Sequence, residues 1–199
     1  MKIGNLEIGQ KEVFIIAEIG NNHNGSLKLA IEMVDSAAEM GADCVKFQMR
    51  DMASVYRKKS LEKQGEDLGT EYVLDLLERF QLSKDEHKVV SEHCLKKGIM
   101  YMCTPWDILS VNALEKFNVP AFKIASTDTS NIPLLRFIAK KGIPMIISTA
   151  MATMEEVKRA VSVVLEEGLE KIALLQCTGN YPSKLSDSNL RVMNTYHRE

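Results

Sequence analysis

The sequence predicts an α/β protein of the TIM-type (β/α) barrel class, with six of the eight strand–helix units that close such a barrel. Three observations predict it. Apolar, β-branched runs alternate with amphipathic helical stretches along the chain, which calls for a parallel sheet with right-handed crossovers. The runs lack strict alternation, as expected of strands wrapped by helices. Each run ends in polar side chains at its C-terminal tip, the face on which barrels carry their chemistry. A doubly wound open sheet shares this repeat, but no G-x-G-x-x-G follows the first strand, which disfavours its dinucleotide-binding version. No Pro/Gly/Ser-rich linker divides the 199 residues, so one domain over residues 1–199 is expected.

The elements follow in order. Lys2 to Gly9 reads as a short hairpin turning at Gly4-Asn5. The run from Val13 to Ile19 reads as the first buried strand, carrying Glu18 near its tip before the loop Gly20 to Gly25. Ser26 is placed to cap a helix over residues 27–40, with Leu29, Ala30, Met33, Val34, Ala37, Ala38 and Met40 on its apolar stripe and Gly41 ending it. Cys44 to Arg50 is the second strand. Asp51 to Gly69, charged and without apolar period, reads as a long loop on the active side. Helices are predicted over about 70–80 and 83–97, the latter with a Ser83/Glu86 capping box.

Ile99 to Thr104 is the third strand, and Asp107 opens a helix to about Phe117. Asn118-Val119-Pro120 breaks that helix before the fourth strand, Ala121 to Ser126. A helix over about 133–141, a fifth strand over 144–149, a helix over 153–167 and a sixth strand over 171–178 complete the repeat. The chain reaches Glu199 in what reads as the helix after strand six.

A net charge of -2 with 26% charged and 45% hydrophobic residues gives no electrostatic case for nucleic acid or an anionic membrane. No apolar segment reaches spanning length, and the start lacks a signal peptide's apolar core, so a cytoplasmic protein is expected. Cys44, Cys94, Cys103 and Cys177 show no C-x-x-C spacing and read as small reduced hydrophobes. His87 and His93, six apart on one predicted helix, point to different faces and form no metal pair.

Strand alternation places Lys46 and Gln48 on one face while Val45 and Phe47 turn toward the helices, and Lys123 is flanked by Phe122 and Ile124 in the same manner. Two inward lysines cannot neutralise each other, and a buried ammonium requires anionic partners. Either Glu18 and Asp128 pair with them internally, or a phosphate or carboxylate ligand does. Thr104, Ser126 and Ser148 add hydroxyls at three strand ends, and together with the lysines they describe a polar ring suited to phosphate oxygens.

The runs AEIGNNHNG, VKFQ, CTPWD, FKIAS, ISTAM and LQCTGNYP, in this order from Val13 to about Leu190, closely resemble the sialic acid (N-acetylneuraminate) synthase family. The resemblance implies condensation of phosphoenolpyruvate with an N-acyl amino sugar, N-acetylmannosamine or a relative, to give a nonulosonic acid and phosphate. It implies that Lys46, Thr104, Lys123, Ser126 and Ser148 hold phosphoenolpyruvate, and that Gln48 and Tyr181 contact the sugar. Glu18 matches a carboxylate that manages protons near the sugar's carbonyl end, and Asp128 a second acid that is Glu in many members. Gly179 stands where some members carry Asn, and Ala150 where S-T-G-M is commoner.

The family also implies a divalent metal, Mn or Mg. Its two histidine ligands belong to segments that follow strand six and are absent from this sequence, and neither His23 nor His197 falls in a metal-ligand motif. The family's C-terminal antifreeze-like domain is likewise not represented, so the chain reads as an incomplete N-terminal synthase barrel domain, a homodimer in its full-length form. Two other readings stand beside this one. A Schiff-base aldolase would use Lys123 as the amine that attacks pyruvate, and a truncated pseudoenzyme would bind phosphoenolpyruvate without turnover.

Overall fold

Parallel strands succeed one another in chain order, each reached from the last through a helix. The computed structural model describes residues 1–9, 13–58, 74–180 and 182–199, and the chain forms two units, residues 8–120 and residues 121–199 together with residues 1–7. The expected N-terminal hairpin is present: β1 (Lys2–Ile3) pairs antiparallel with β2 (Leu6–Glu7) across Gly4, whose φ of 55° suits the turn.

In residues 8–120, β3 (Ile16–Gly20), β4 (Cys44–Met49) and β5 (Met100–Pro105) are parallel neighbours. The register sets Glu18 beside Lys46, and Gln48 beside Thr104. The first strand is shorter than its apolar run suggests, with Val13 83% and Ile15 54% exposed. The ladder starts only at Ile16, because Ile15 is taken up by the turn before β4, donating its N–H to Asp43 Oδ2 at 2.7 Å and accepting from the amides of Asp43 and Cys44.

α1 (Leu27–Glu39) starts at Ser26, whose hydroxyl accepts from Leu29 N–H at 3.2 Å. Of its predicted stripe, Ala30 and Val34 are fully buried, whereas Met40 is 84% exposed because it has left the helix as its C-cap. α2 (Met52–Val55), a single turn capped by Asp51, stands where the sequence reads as loop. The rest of that loop, residues 59–69, and the start of the next predicted helix lie outside the described residues. α3 (Leu74–Arg79) is followed by α4 (Lys84–Lys97), where Ser83 and Glu86 form the predicted capping box and Gly98 ends the helix in the left-handed region. α1 and α4 pack together, and Asp35 ties them by contacts of 2.7 Å to His93 and 2.9 Å to Lys97. Asp107 caps α5 (Ile108–Lys116) through Ser110 N–H at 2.8 Å.

In residues 121–199, β6 (Phe122–Ile124), β7 (Met145–Ser148) and β8 (Ile172–Leu175) are again parallel neighbours, with α6 (Ile132–Ala139), α7 (Met154–Glu166) and α8 (Val192–Arg198) between and after them. α6 packs on α7, and Arg136 joins them through Glu166 and Glu167. The fourth predicted strand ends early: Ser126 lies in a 3₁₀ turn, Ser126–Asp128, closed by Asp128 N–H on Ala125 C=O at 3.0 Å. Gln176, Cys177 and Thr178 likewise fall beyond β8, where the side chains of Gln176 and Thr178 reach the carbonyls of Ser188 and Asp187. Phe122, Leu135, Ile138, Met145 and Ile147 form the fully buried interior of this unit. Among the described residues no helix is long and apolar enough to cross a membrane.

Candidate active site

Lys46 projects from the middle of β4 with its side chain 6% exposed. Its ammonium contacts Glu18 Oε1 at 2.9 Å and donates to Thr104 Oγ1 at 3.2 Å and to the carbonyl of Phe47 at 3.4 Å. The internal pairing considered from sequence is therefore real for Lys46 and Glu18. The two ends of the pair differ sharply, since the Glu18 side chain is 58% exposed. Parallel register explains the contact: Glu18 is the cross-strand neighbour of Lys46, and Thr104 stands two residues beyond its neighbour on the other side, Met102.

Gln48 stands on the same face. Its side-chain oxygen accepts from Arg50 Nη2 at 2.8 Å and from the indole N–H of Trp106 at 3.3 Å, and the Arg50 guanidinium lies 4.6 Å from the centre of the Trp106 ring. Sequence reasoning did not single out Arg50 or Trp106. The only signal for Trp106 was its place inside CTPWD.

The opposite face of β4 rests on a buried ring cluster. Phe47 stacks on Tyr101 at 5.6 Å, meets His87 edge-on at 6.0 Å and lies 5.8 Å from His23. The Tyr101 hydroxyl and His87 Nδ1 share a 2.8 Å hydrogen bond, and His23 Nδ1 accepts from Gly25 N–H at 3.2 Å. Both imidazoles are about 1% exposed. Burial lowers the pKa of each, and the neighbouring His23 adds to the effect on His87, which falls to about 4. The cluster holds β4 in register from behind, so that Lys46 and Gln48 face the other way.

Lys123 repeats the arrangement of Lys46 in the second unit. It is buried, donates to the carbonyl of the next residue, Ile124, at 2.9 Å, and hydrogen-bonds Ser148 Oγ, two residues beyond its cross-strand neighbour Ile146. Thr129 Oγ1 secures the Ser148 carbonyl at 2.9 Å, and Cys177 Sγ approaches the Ser148 hydroxyl at 3.6 Å.

Asp128 accepts from Asn131 Nδ2 at 3.0 Å through one oxygen, while its other oxygen is buried with no hydrogen-bond partner among the described residues. Burial raises its pKa against the opposing Asn131 hydrogen bond. Ser126 lines a cleft of about 170 Å³ with Thr129, Met151 and Glu156. A second cleft, of about 400 Å³, is bordered by Gln176, Cys177, Thr149 and Tyr196, the last two hydrogen-bonded at 2.7 Å. Tyr196 and Thr149 are further polar residues that sequence reasoning did not select.

Tyr181 lies outside the described residues. Ala150 is not among the residues with positive φ, so its methyl group in place of glycine strains nothing. Among the described residues no group of three His, Cys, Asp or Glu side chains is disposed to hold a metal ion. The described side chains do not fit the divalent metal that the resemblance implies.

Consecutive parallel strands, each followed by a helix and two of them carrying buried lysines, define an α/β protein of the (β/α)-barrel type. Residues 33–199 match the model of the NeuB family, and the chain belongs to that family. It is 37% identical over 193 residues to human N-acetylneuraminate-9-phosphate synthase, covering 96% of this chain and 53% of that protein. It is 36% identical over 188 residues to the N,N'-diacetyllegionaminic acid synthase of Campylobacter jejuni, covering 92% and 56%. Among solved structures, the N-acetylneuraminic acid synthetase of Leptospira borgpetersenii in complex with citrate has a TM-score of 0.86 at 35% identity, over 98% of this chain and 65% of that one. The chain spans about half the length of the curated relatives named here.

Proposed function

We propose that the chain carries the phosphoenolpyruvate-handling part of a nonulosonic acid synthase, which joins phosphoenolpyruvate to an N-acyl amino sugar such as N-acetylmannosamine, consumes water and releases phosphate. The observation that carries this reading is the buried Lys46 ammonium on β4, between a solvent-facing carboxylate and a hydroxyl. A charge so placed accepts an anion from solvent by exchanging partners, and it costs no reorganisation at the moment charge develops on the leaving phosphate. Lys123 with Ser148 offers a second ammonium and hydroxyl in the other unit. In this reading Lys46, Thr104, Lys123, Ser126 and Ser148 bind phosphoenolpyruvate, and Gln48 and Tyr181 contact the sugar. Glu18 and Asp128 exchange protons with sugar oxygens, and the similarity to nonulosonic acid synthases supports the reading as a whole.

Calorimetric titration with phosphoenolpyruvate, followed by a phosphate-release assay with N-acetylmannosamine and manganese, tests the proposal. Saturable binding, with any phosphate release dependent on the sugar, is expected. No binding of phosphoenolpyruvate overturns it. Borohydride reduction in the presence of pyruvate separates it from Schiff-base chemistry: a covalent adduct on Lys123 would establish the aldolase instead. A homodimer of the full-length protein belongs to the same reading and is checked by sedimentation.

A further inference from the structure

The Gln48 amide is held from one side only. Its carbonyl oxygen takes two hydrogen bonds, from Arg50 and from Trp106, and both partners are donors with no lone pair to offer. The amide therefore fits one way round, since turning it would set its NH₂ against two donors and leave each without an acceptor. The donors are themselves fixed. The Trp106 backbone N–H is bonded to the Met49 carbonyl at 3.0 Å, the guanidinium lies over the indole, and Arg50 is only 9% exposed. Asp107, the next residue, accepts the Asp51 N–H at 2.7 Å while capping α5, so the segment after β5 is bound to the end of β4 at several points.

The amide nitrogen faces the other way, toward Gly20. A Cβ on Gly20 would stand 3.6 Å from Gln48 Nε2 and 3.4 Å from Glu18 Oε1, and glycine leaves that space open between a donor and a carboxylate. Among the described residues Nε2 donates to nothing.

We propose that Arg50 and Trp106 are positioning residues that lock Gln48 as a donor-only contact, so that the site reads an acceptor oxygen, carbonyl or hydroxyl, on the amino sugar. The proposal rests on the reading of Gln48 as a sugar contact given above. A donor group at the atom that meets Nε2 finds no acceptor on Gln48.

The orientation is tested by NMR on the labelled chain, with the Gln48 side-chain amide assigned by its disappearance in Gln48→Glu. No cross-peak between the Trp106 indole proton and the Gln48 NH₂ protons is expected, and a strong one overturns the proposal. N-acetylmannosamine should shift the Gln48 NH₂ resonances in the parent chain, and its apparent affinity should fall roughly tenfold in Arg50→Met and Trp106→Phe. Arg50→Lys, which keeps a donor, should recover part of that loss, while phosphoenolpyruvate affinity stays unchanged in all three variants. In a preparation with turnover the same pattern appears as a rise in sugar KM with little change in kcat. A parent chain whose Gln48 resonances ignore the sugar overturns the proposal, as does a lysine variant no better than methionine or a parallel loss of phosphoenolpyruvate binding. Failure of the parent chain to bind phosphoenolpyruvate instead overturns the functional reading and leaves the amide orientation standing.

Discussion

An ammonium removed from water must be met by acceptors, and Lys46 meets that requirement with a carboxylate, a hydroxyl and a carbonyl within 3.4 Å. Replacing it with Met removes the charge without leaving a buried orphan charge, because the exposed Glu18 carboxylate rehydrates. Lys46→Met should therefore melt close to the parent while losing roughly 100-fold in phosphoenolpyruvate affinity, the size expected for one partner of a buried charged contact. Calorimetry decides, and unchanged affinity removes Lys46 from the site. His87 makes the opposite kind of prediction. The folded protein resists protonating it until about pH 4, whereas the unfolded chain takes up the proton near the ordinary value of 6.5. Its contribution is thus complete above pH 6.5 and is lost as the pH falls toward 4, by up to about 3 kcal/mol. Denaturant melts of His87→Gln should show a shallower acid dependence than the parent over that window, beyond what the Glu86, His23 and Tyr101 neighbourhood retains. At this scale the lysines were legible because period-two alternation assigns a face to every strand residue. Arg50 and Trp106 were not, since their bonds to Gln48 depend on a chain segment 58 residues away in the case of Trp106 returning to the end of β4.

Element boundaries followed local chemistry where that chemistry was strong. The capping boxes at Ser83/Glu86 and Thr153/Glu156 fixed their helix starts to the residue, because a side chain that satisfies orphan amides leaves little choice. Hydrophobicity alone was a poorer guide. Val13 and Ile15 are apolar yet exposed, since strand length is set by where a neighbour's ladder begins. Gly25 illustrates a constraint that no pattern reveals: its φ is 76°, and a Cβ there would sit 2.4 Å from the Arg79 carbonyl oxygen at the end of α3. Gly25→Ala should destabilise the chain by at least about 2 kcal/mol, from backbone strain and a contact that only main-chain movement can relieve. A chemical melt with an unchanged midpoint would contradict this account. His23, whose ring accepts the Gly25 amide, should lose its protected environment in the same variant.

Across the whole chain the repeat of strand, polar tip and helix was readable because each step has its own period and its own stop signal. The clefts were not readable, since they form from turns such as Ser126–Asp128 that extend no pattern. The cysteines offer a global check on packing. Cys44, Cys94 and Cys103 are buried free thiols whose pKa values burial pushes up, to about 12 for Cys94 and Cys103, while Cys177 is partly accessible. A thiol reagent at neutral pH should modify one cysteine quickly in the native protein and the other three only on unfolding; rapid native labelling of two or more would mean that the strands are open.

Because the Lys46 ammonium is sealed off while its carboxylate faces water, an arriving anion never encounters a vacant charge. On the proposed reading it displaces a tenant already seated, so the ammonium keeps a counter-ion through the swap. In the reaction proposed above, the evicted acid stays tethered beside the newcomer, relieved of its counter-ion and placed to take up a proton.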